Sequence, residues 1–382
     1  MKFRCIAFLL AAASLHAQPP RFHAVTVSDQ IRMGYQVTVC DVDRDHRPDL
    51  IVVDERSTEL AWFENPGRED EPWLRHVLAR DVPRTINVAC TANEIYIGHH
   101  FETVPARSRG TLLRLTPGPD VRQPWNPREI DRVPTIHRLR WANSRSGSLL
   151  VTSPLLGPEN EAPEFRHPTP VFAHRPGEQK RLPLFDGLTG IVHSVHPFDW
   201  DGDGFDEILT SSFKGIHLLT EQPGGAWTAR HLSPGDPREC PLCGSSELRP
   251  GTLNGRRFLA AIEPWHGNQL VLYPDPAGPL HGRPVERLVL DDTMINGHAL
   301  AVGDFNGDGR DEIVTGFRSK GFKLSLFQAD DASGRKWTRH LIDETIAAAD
   351  CQIADFNNDG RVDLACSGAS TGNLKIYFNL GR

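Results

Sequence analysis

The chain has 382 residues and a formal net charge of −7, with 42 Lys and Arg against 49 Asp and Glu. No basic stripe is visible, which excludes the electrostatic footprint of a nucleic-acid binder. Beyond the first residues no apolar run approaches the length of a membrane span, and 33 Gly with 30 Pro supply the turns of a many-stranded fold.

Residues 1–17 carry Lys2 and Arg4, then an apolar run from Ile6 to Leu15, then Ala17. This pattern predicts a signal peptide, too short to cross a bilayer, and an exported protein, periplasmic or extracellular. The first acidic loop follows, with Asp41, Asp43, Asp45 and Asp49 at positions 1, 3, 5 and 9. It recurs as Asp199, Asp201, Asp203 and Glu207, as Asp304, Asn306, Asp308 and Glu312, and as Asp355, Asn357, Asp359 and Asp363. Oxygen side chains at those positions, a backbone carbonyl at 7 and a turn residue at 6 make a cage for Ca²⁺, structural in role. The first copy has His46 where the others have Gly, which makes it the least regular. Apolar runs flank each loop, residues 37–39 and 50–53 in the first copy, so the loop joins two strands and not the two helices of an EF-hand.

Asp41, Asp199, Asp304 and Asp355 stand 158, 105 and 51 residues apart, close to three, two and one multiples of one period. A repeat of that length signals a propeller or solenoid. Decayed copies fill the gaps at residues 85–97, 135–151 and 257–273. Several units end in an aromatic-then-His strand, at Trp73 and His76, Trp227 and His231, and Trp337 and His340. The last unit lacks one and the first segment, with Phe22 and His23, supplies it. The prediction is an all-β, seven-bladed propeller of four-stranded blades, residues 18–382 forming a single domain, with the N-terminal strand closing the last blade.

Cys240 and Cys243 predict a local disulfide in an oxidising compartment. Cys40, Cys90, Cys351 and Cys366 read as small buried apolar groups, with a Cys40–Cys90 bridge between adjacent blades as the alternative.

His137, His193 and His298 each stand six residues before the first position of an acidic loop or its degenerate counterpart, at one level of the innermost strands. Blade 5 offers Glu263 and His266 in the turn between its second and third strands, which opens on the same face, and His99 and His100 lie in the matching turn of blade 2. A histidine recurring by repeat descent is more often structural. Tyr35 and Ala349 at the same level in blades 1 and 7 show that the imidazole is no fixed part of the repeat. His137, His193, His266, His298 and Glu263 are therefore the candidate catalytic residues, in a site suited to Zn²⁺ or Mn²⁺. Asp54, Glu55, Lys214 and Arg318 are expected at its rim, Trp265 as a stacking face for a sugar ring, and the long turns 98–110 and 157–170 as a lid.

The segment from Asp304 to Ile313 and its three relatives resemble the FG-GAP/VCBS repeats of integrin-α-like propellers. That resemblance implies the fold, while function is left open among adhesion, ligand binding and catalysis. Residues 297–308, with Glu263, His266 and the His193 segment, are more narrowly similar to the propeller of the aldos-2-ulose dehydratase/isomerase family. The similarity implies a metal-dependent carbohydrate dehydratase, a lyase acting on keto-sugars, and no isomerase activity of the kind that family houses in cupin domains. The competing expectation is a non-catalytic module that binds a glycan or a protein through the same face. No Gly-x-Ser-x-Gly elbow supports a serine hydrolase.

Overall fold

A computed structural model describes residues 18–91, 93–274 and 285–381. The expected leader, residues 1–17, lies outside them. The described strands form seven antiparallel sheets of four strands each. The first strands of blades 1 to 7 are Gly34–Cys40, Asn87–Cys90, Ile136–Ser144, Val192–Phe198, Leu248–Leu253, Gly297–Gly303 and Ala348–Ala354. Each packs beside the next, and Ala348–Ala354 returns to Gly34–Cys40, so these seven line a closed ring. Phe22–Ser28 pairs antiparallel with Leu374–Asn379 and completes blade 7, as the sequence predicts. Pairing the two ends of the chain in one sheet closes the ring and gives blade 7 the same four strands as the others.

Apolar residues fill the spaces between blades. Trp62, Tyr96, Tyr273 and Tyr377 are fully buried there, and the core clusters run from one sheet to its neighbour. Blade 5 departs from the expected layout. Residues 257–273 are its second and third strands, and its inner strand, Leu248–Leu253, was not marked by any acidic loop. In blade 5 a two-residue turn, Asn254 and Gly255, replaces the loop altogether.

The inner strands share one irregularity that positions the site. In blades 3, 4, 6 and 7 the pairing with the second strand slips at His137, His193, His298 and Ala349, and in blade 1 at Tyr35 and Gln36. Blades 2 and 5 pair without a slip. A bulge leaves one residue out of the ladder and re-aims its side chain. Here it turns the residue at one level of the ring into the channel.

All six cysteines among the described residues are paired. Cys240–Cys243 forms as expected, and Cys40–Cys90 links the inner strands of blades 1 and 2 with Cα atoms 6.3 Å apart. The reading of Cys351 and Cys366 as unpaired apolar groups is corrected. They are direct cross-strand partners with Cα atoms 4.2 Å apart, the close pairing in which facing side chains meet.

The Cys40–Cys90 bridge closes a 50-residue span. Replacing both by serine is expected to lower the unfolding free energy by about 2–4 kcal/mol, read from urea denaturation; an unchanged midpoint would show that the bridge constrains nothing.

Candidate metal centre in the channel mouth

The four acidic loops share one geometry. The carboxylate at position 9 (Asp49, Glu207, Glu312, Asp363) accepts the backbone N–H of position 2 at 2.9–3.0 Å. The Asp at position 1 accepts the N–H of position 6, and the Asp at position 5 that of position 7. Position 6 has positive φ in every copy, His46 included, at 69°. His46 therefore keeps the turn that Gly makes elsewhere, at some conformational cost. In the first two loops three carboxylates each bring an oxygen within 4.8 Å of the others, and Asp41 Oδ1 is buried without a partner. Arg47, Arg145, Arg310 and Arg361 pair with the Asp at position 5 of the four loops. Burial drives the position-9 carboxyls up, to about 7 at Asp49, about 8 at Glu312 and about 6 at Asp363. An all-oxygen cluster with this excess of negative charge fits a hard cation such as Ca²⁺.

On the opposite face, three histidines converge. His193, His266 and His298 place one ring nitrogen each within 4.8 Å of the others. His193 Nε2 and His266 Nε2 are 3.1 Å apart, and the His193 and His298 rings are centred 5.1 Å apart. Their tautomers follow from their other neighbours. His298 Nδ1 contacts the Ala349 carbonyl, which can only accept, so Nδ1 carries the proton and Nε2 is a bare lone pair. That Nε2 is buried and has no partner. His193 Nδ1 lies 3.1 Å from the Glu247 carboxylate and 3.0 Å from Ser246 Oγ, which puts its proton on Nδ1 and leaves Nε2 to accept from His266 Nε2 at 3.1 Å. Burial holds His193 at about 4 and His266 and His298 well below the usual histidine range, so all three are neutral and able to ligate. Two nitrogens bound to one tetrahedral Zn²⁺ at about 2.0–2.1 Å stand roughly 3.3 Å apart, close to the spacing found here. The residues present therefore fit a borderline divalent metal, with Glu247 and the Ala349 carbonyl orienting the ligands from behind.

His266 reaches the group from a tight turn. Its φ is 47°, and a Cβ on the following Gly267 would stand 2.2 Å from the Glu263 carbonyl oxygen. His137 lies beside the three, its ring centred 5.0 Å from that of His193, but its Nε2 is taken by Tyr35 Oη at 2.7 Å. Tyr35 is fully engaged in the site although its blade has no histidine at this level; its ring is centred 5.2 Å from that of His298.

Beneath the imidazoles the channel is closed by charge. Arg138 and Glu247 pair across it, each under a tenth exposed, and Arg249 approaches the second Glu247 oxygen at 3.5 Å. Arg138 Nε also donates to the His193 carbonyl at 2.6 Å. Burial pushes the Glu247 carboxyl up, but Arg138, His193 and Arg249 outweigh it and hold it well below the usual range. Tyr35, Gln36, Arg138, Arg140, Glu247, His298 and Asp350 enclose a void of about 10 Å³, room for at most one water. The histidines thus form a cup with a closed floor.

Other expected members lie elsewhere. Glu263 is buried with Tyr273 Oη donating at 2.6 Å and Arg287 Nε at 2.8 Å, so its carboxylate does not join the imidazoles. His99 and His100 line a separate cavity of about 940 Å³ with Arg109, Glu129 and Arg132. Asp54 accepts the backbone N–H groups of Arg32, Met33 and Arg56 and holds its own turn. Trp265 packs on His266 and with Phe213 in an apolar cluster that also takes Phe101 and Phe165 from the two long turns. Those turns therefore meet over the mouth, Phe101 standing 5.8 Å from His137. Arg318 does reach the site, with Nη2 3.3 Å and 3.5 Å from the two nitrogens of His266. Sequence reasoning missed Glu247, Arg138 and Arg249. The signal available for them is charge at alternate positions of an inner strand.

Ring, loops and cup together define a seven-bladed β-propeller built of acidic-loop repeats. Residues 304–366 match the FG-GAP-like repeat family. The chain is similar to aldos-2-ulose dehydratase of Phanerodontia chrysosporium, 25% identical over 286 residues that cover 64% of this chain and 30% of that protein. The match therefore spans under a third of the relative's length. Among solved structures, BBS1N in complex with ARL6DN superposes with a TM-score of 0.57 at 11% identity, over 93% of this chain and 95% of that one, a likeness of fold.

Two outcomes follow from the charges. Glu247→Leu leaves Arg138 buried and uncompensated and is expected to cost about 3–5 kcal/mol in denaturant unfolding, with Arg138→Leu in the same chain restoring much of it; additive losses would rule out the pairing. In chelator, the raised carboxyls of Asp49, Glu312 and Asp363 keep their protons in the folded state to about pH 6–8, whereas the unfolded chain releases them near pH 4. The unfolded state binds fewer protons between those limits, so the melting midpoint should fall as the pH rises from 5 to 8. A midpoint that rises over that range would show that these carboxyls are not held protonated.

Proposed function

We propose that this propeller is a metal-dependent dehydratase of a keto-sugar, exported from the cytosol and stiffened by Ca²⁺ at its acidic loops. The observation that carries the reading is the convergence of His193, His266 and His298, with the Nδ1 protons of His193 and His298 held from behind so that their Nε2 atoms turn toward His266. The similarity to aldos-2-ulose dehydratase supports the reaction class. Three disulfides among the described residues and the signal-like residues 1–17 support export.

His193, His266 and His298 would hold a divalent ion, which would supply Lewis acidity to a ligand carbonyl. Glu247, Ser246 and the Ala349 carbonyl keep the imidazoles in orientation. His137 and Tyr35 remain outside the ligand set and are hydrogen-bonded to each other, which suits them to move a proton. In the dehydration this pair would take the proton from the carbon next to the carbonyl, the C–H electrons forming the new C=C bond as the C–O bond at the following carbon breaks, and would return that proton to the departing hydroxyl, which leaves as water. The closed floor and the aromatic turns over the mouth limit bulk water around that exchange.

Elemental analysis of the purified mature protein tests the reading. It should find about one equivalent of zinc or manganese per chain besides calcium, and His298→Ala should lose that equivalent, keep the calcium and lose keto-sugar dehydration. Calcium alone, with ligand binding intact when His266 and His298 are both replaced by alanine, would leave a binding module without this chemistry.

A further inference from the structure

Arg318 stands in the second-to-third-strand turn of blade 6, next to the cup, and its charge is not balanced. One Nη2 lies 3.3 Å from Nδ1 and 3.5 Å from Nε2 of His266, nearly equidistant, so the guanidinium packs across the imidazole and not on a single lone pair. The same nitrogen donates to Asn296 Oδ1 at 3.1 Å, and Nε is buried with no partner. No carboxylate among the described residues forms an ion pair with it. The neighbouring acids are otherwise engaged: Glu247 by Arg138 and Arg249, and Asp350 by the Val37 N–H at 3.2 Å. Glu55 faces Arg318 from blade 1 without contact. A desolvated cation in that position is costly unless something brings it an anion.

We propose that Arg318 forms an anion subsite on the rim of the cup, and that the ligand is a keto-sugar carrying a carboxylate beside its carbonyl, a 2-keto sugar acid and not a neutral ketose. This rests on reading the cup as a metal site for a keto-sugar. His266 touches both halves of the arrangement, His193 on one side and Arg318 on the other. Arg318 Nη2 lies 3.5 Å from His266 Nε2, the nitrogen that faces His193, so the two subsites adjoin. A guanidinium fork is the group best matched to that carboxylate, and Nε with a neighbouring Nη offers a bidentate edge.

The test is calorimetric titration of zinc-loaded protein with 2-keto-D-gluconate and with D-fructose, which differ at C1 as carboxylate against hydroxymethyl. The keto acid should bind at least about tenfold more tightly, the size of one hydrogen-bonded charge contact. Arg318→Gln should erase the difference while zinc stoichiometry is unchanged, and Arg318→Lys should keep part of it. Equal affinities in the wild type, or a preference that survives Arg318→Gln, overturn the anion subsite alone. Failure of the wild type to take up zinc at the cup overturns the underlying site reading as well.

Discussion

Arg138 and Glu247 come from blades 3 and 5 and meet across the channel with almost no exposure to solvent. Neither charge is tolerable there without the other, since each would otherwise pay a desolvation penalty of several kcal/mol. Their pairing fixes the rest of the site. The same carboxylate sits against His193 Nδ1 and the same guanidinium donates to the His193 carbonyl, so ring tautomer and strand position are set together. The pair also closes the channel floor and makes the histidines above it a one-sided cup.

A ring of near-identical blades could build only a symmetric lining, and this channel is not symmetric. The bulge recurs on five inner strands, while the residue it presents differs: Tyr35, His137, His193, His298 and Ala349. The repeat supplies the direction and the individual blade supplies the chemistry. Ala349 illustrates the division. Its side chain adds nothing, yet its backbone carbonyl holds the His298 proton. The acidic loops stand at the other end of the same strands, where their carboxylates accept backbone N–H groups of the blade turns and leave the mouth to the imidazoles.

Much of this was legible in the sequence because the loops are regular. Their spacing counted the blades, the missing outer strand of the last blade pointed to the N-terminal strand, and the six-residue offset placed His137, His193 and His298 at one level. What the loops did not mark was harder to read. Blade 5 turns through Asn254 and Gly255 with no acidic loop, so its inner strand had no reference point and Glu247 went unseen. Charges at alternate positions, Arg138 and Arg140, Glu247 and Arg249, ordinarily signal a strand face in solvent; here that face is the channel wall. Glu263 failed as a site residue for a related reason. Proximity to His266 in sequence does not give the side-chain direction, and Tyr273 with Arg287 takes its carboxylate.

The most direct test of the account is anomalous diffraction from crystals of the protein grown with zinc and calcium, collected on either side of the zinc edge. The account predicts a zinc peak about 2.0–2.1 Å from the Nε2 atoms of His193, His266 and His298 and none in the acidic loops. A zinc peak confined to other sites, with none among His193, His266 and His298, would contradict it.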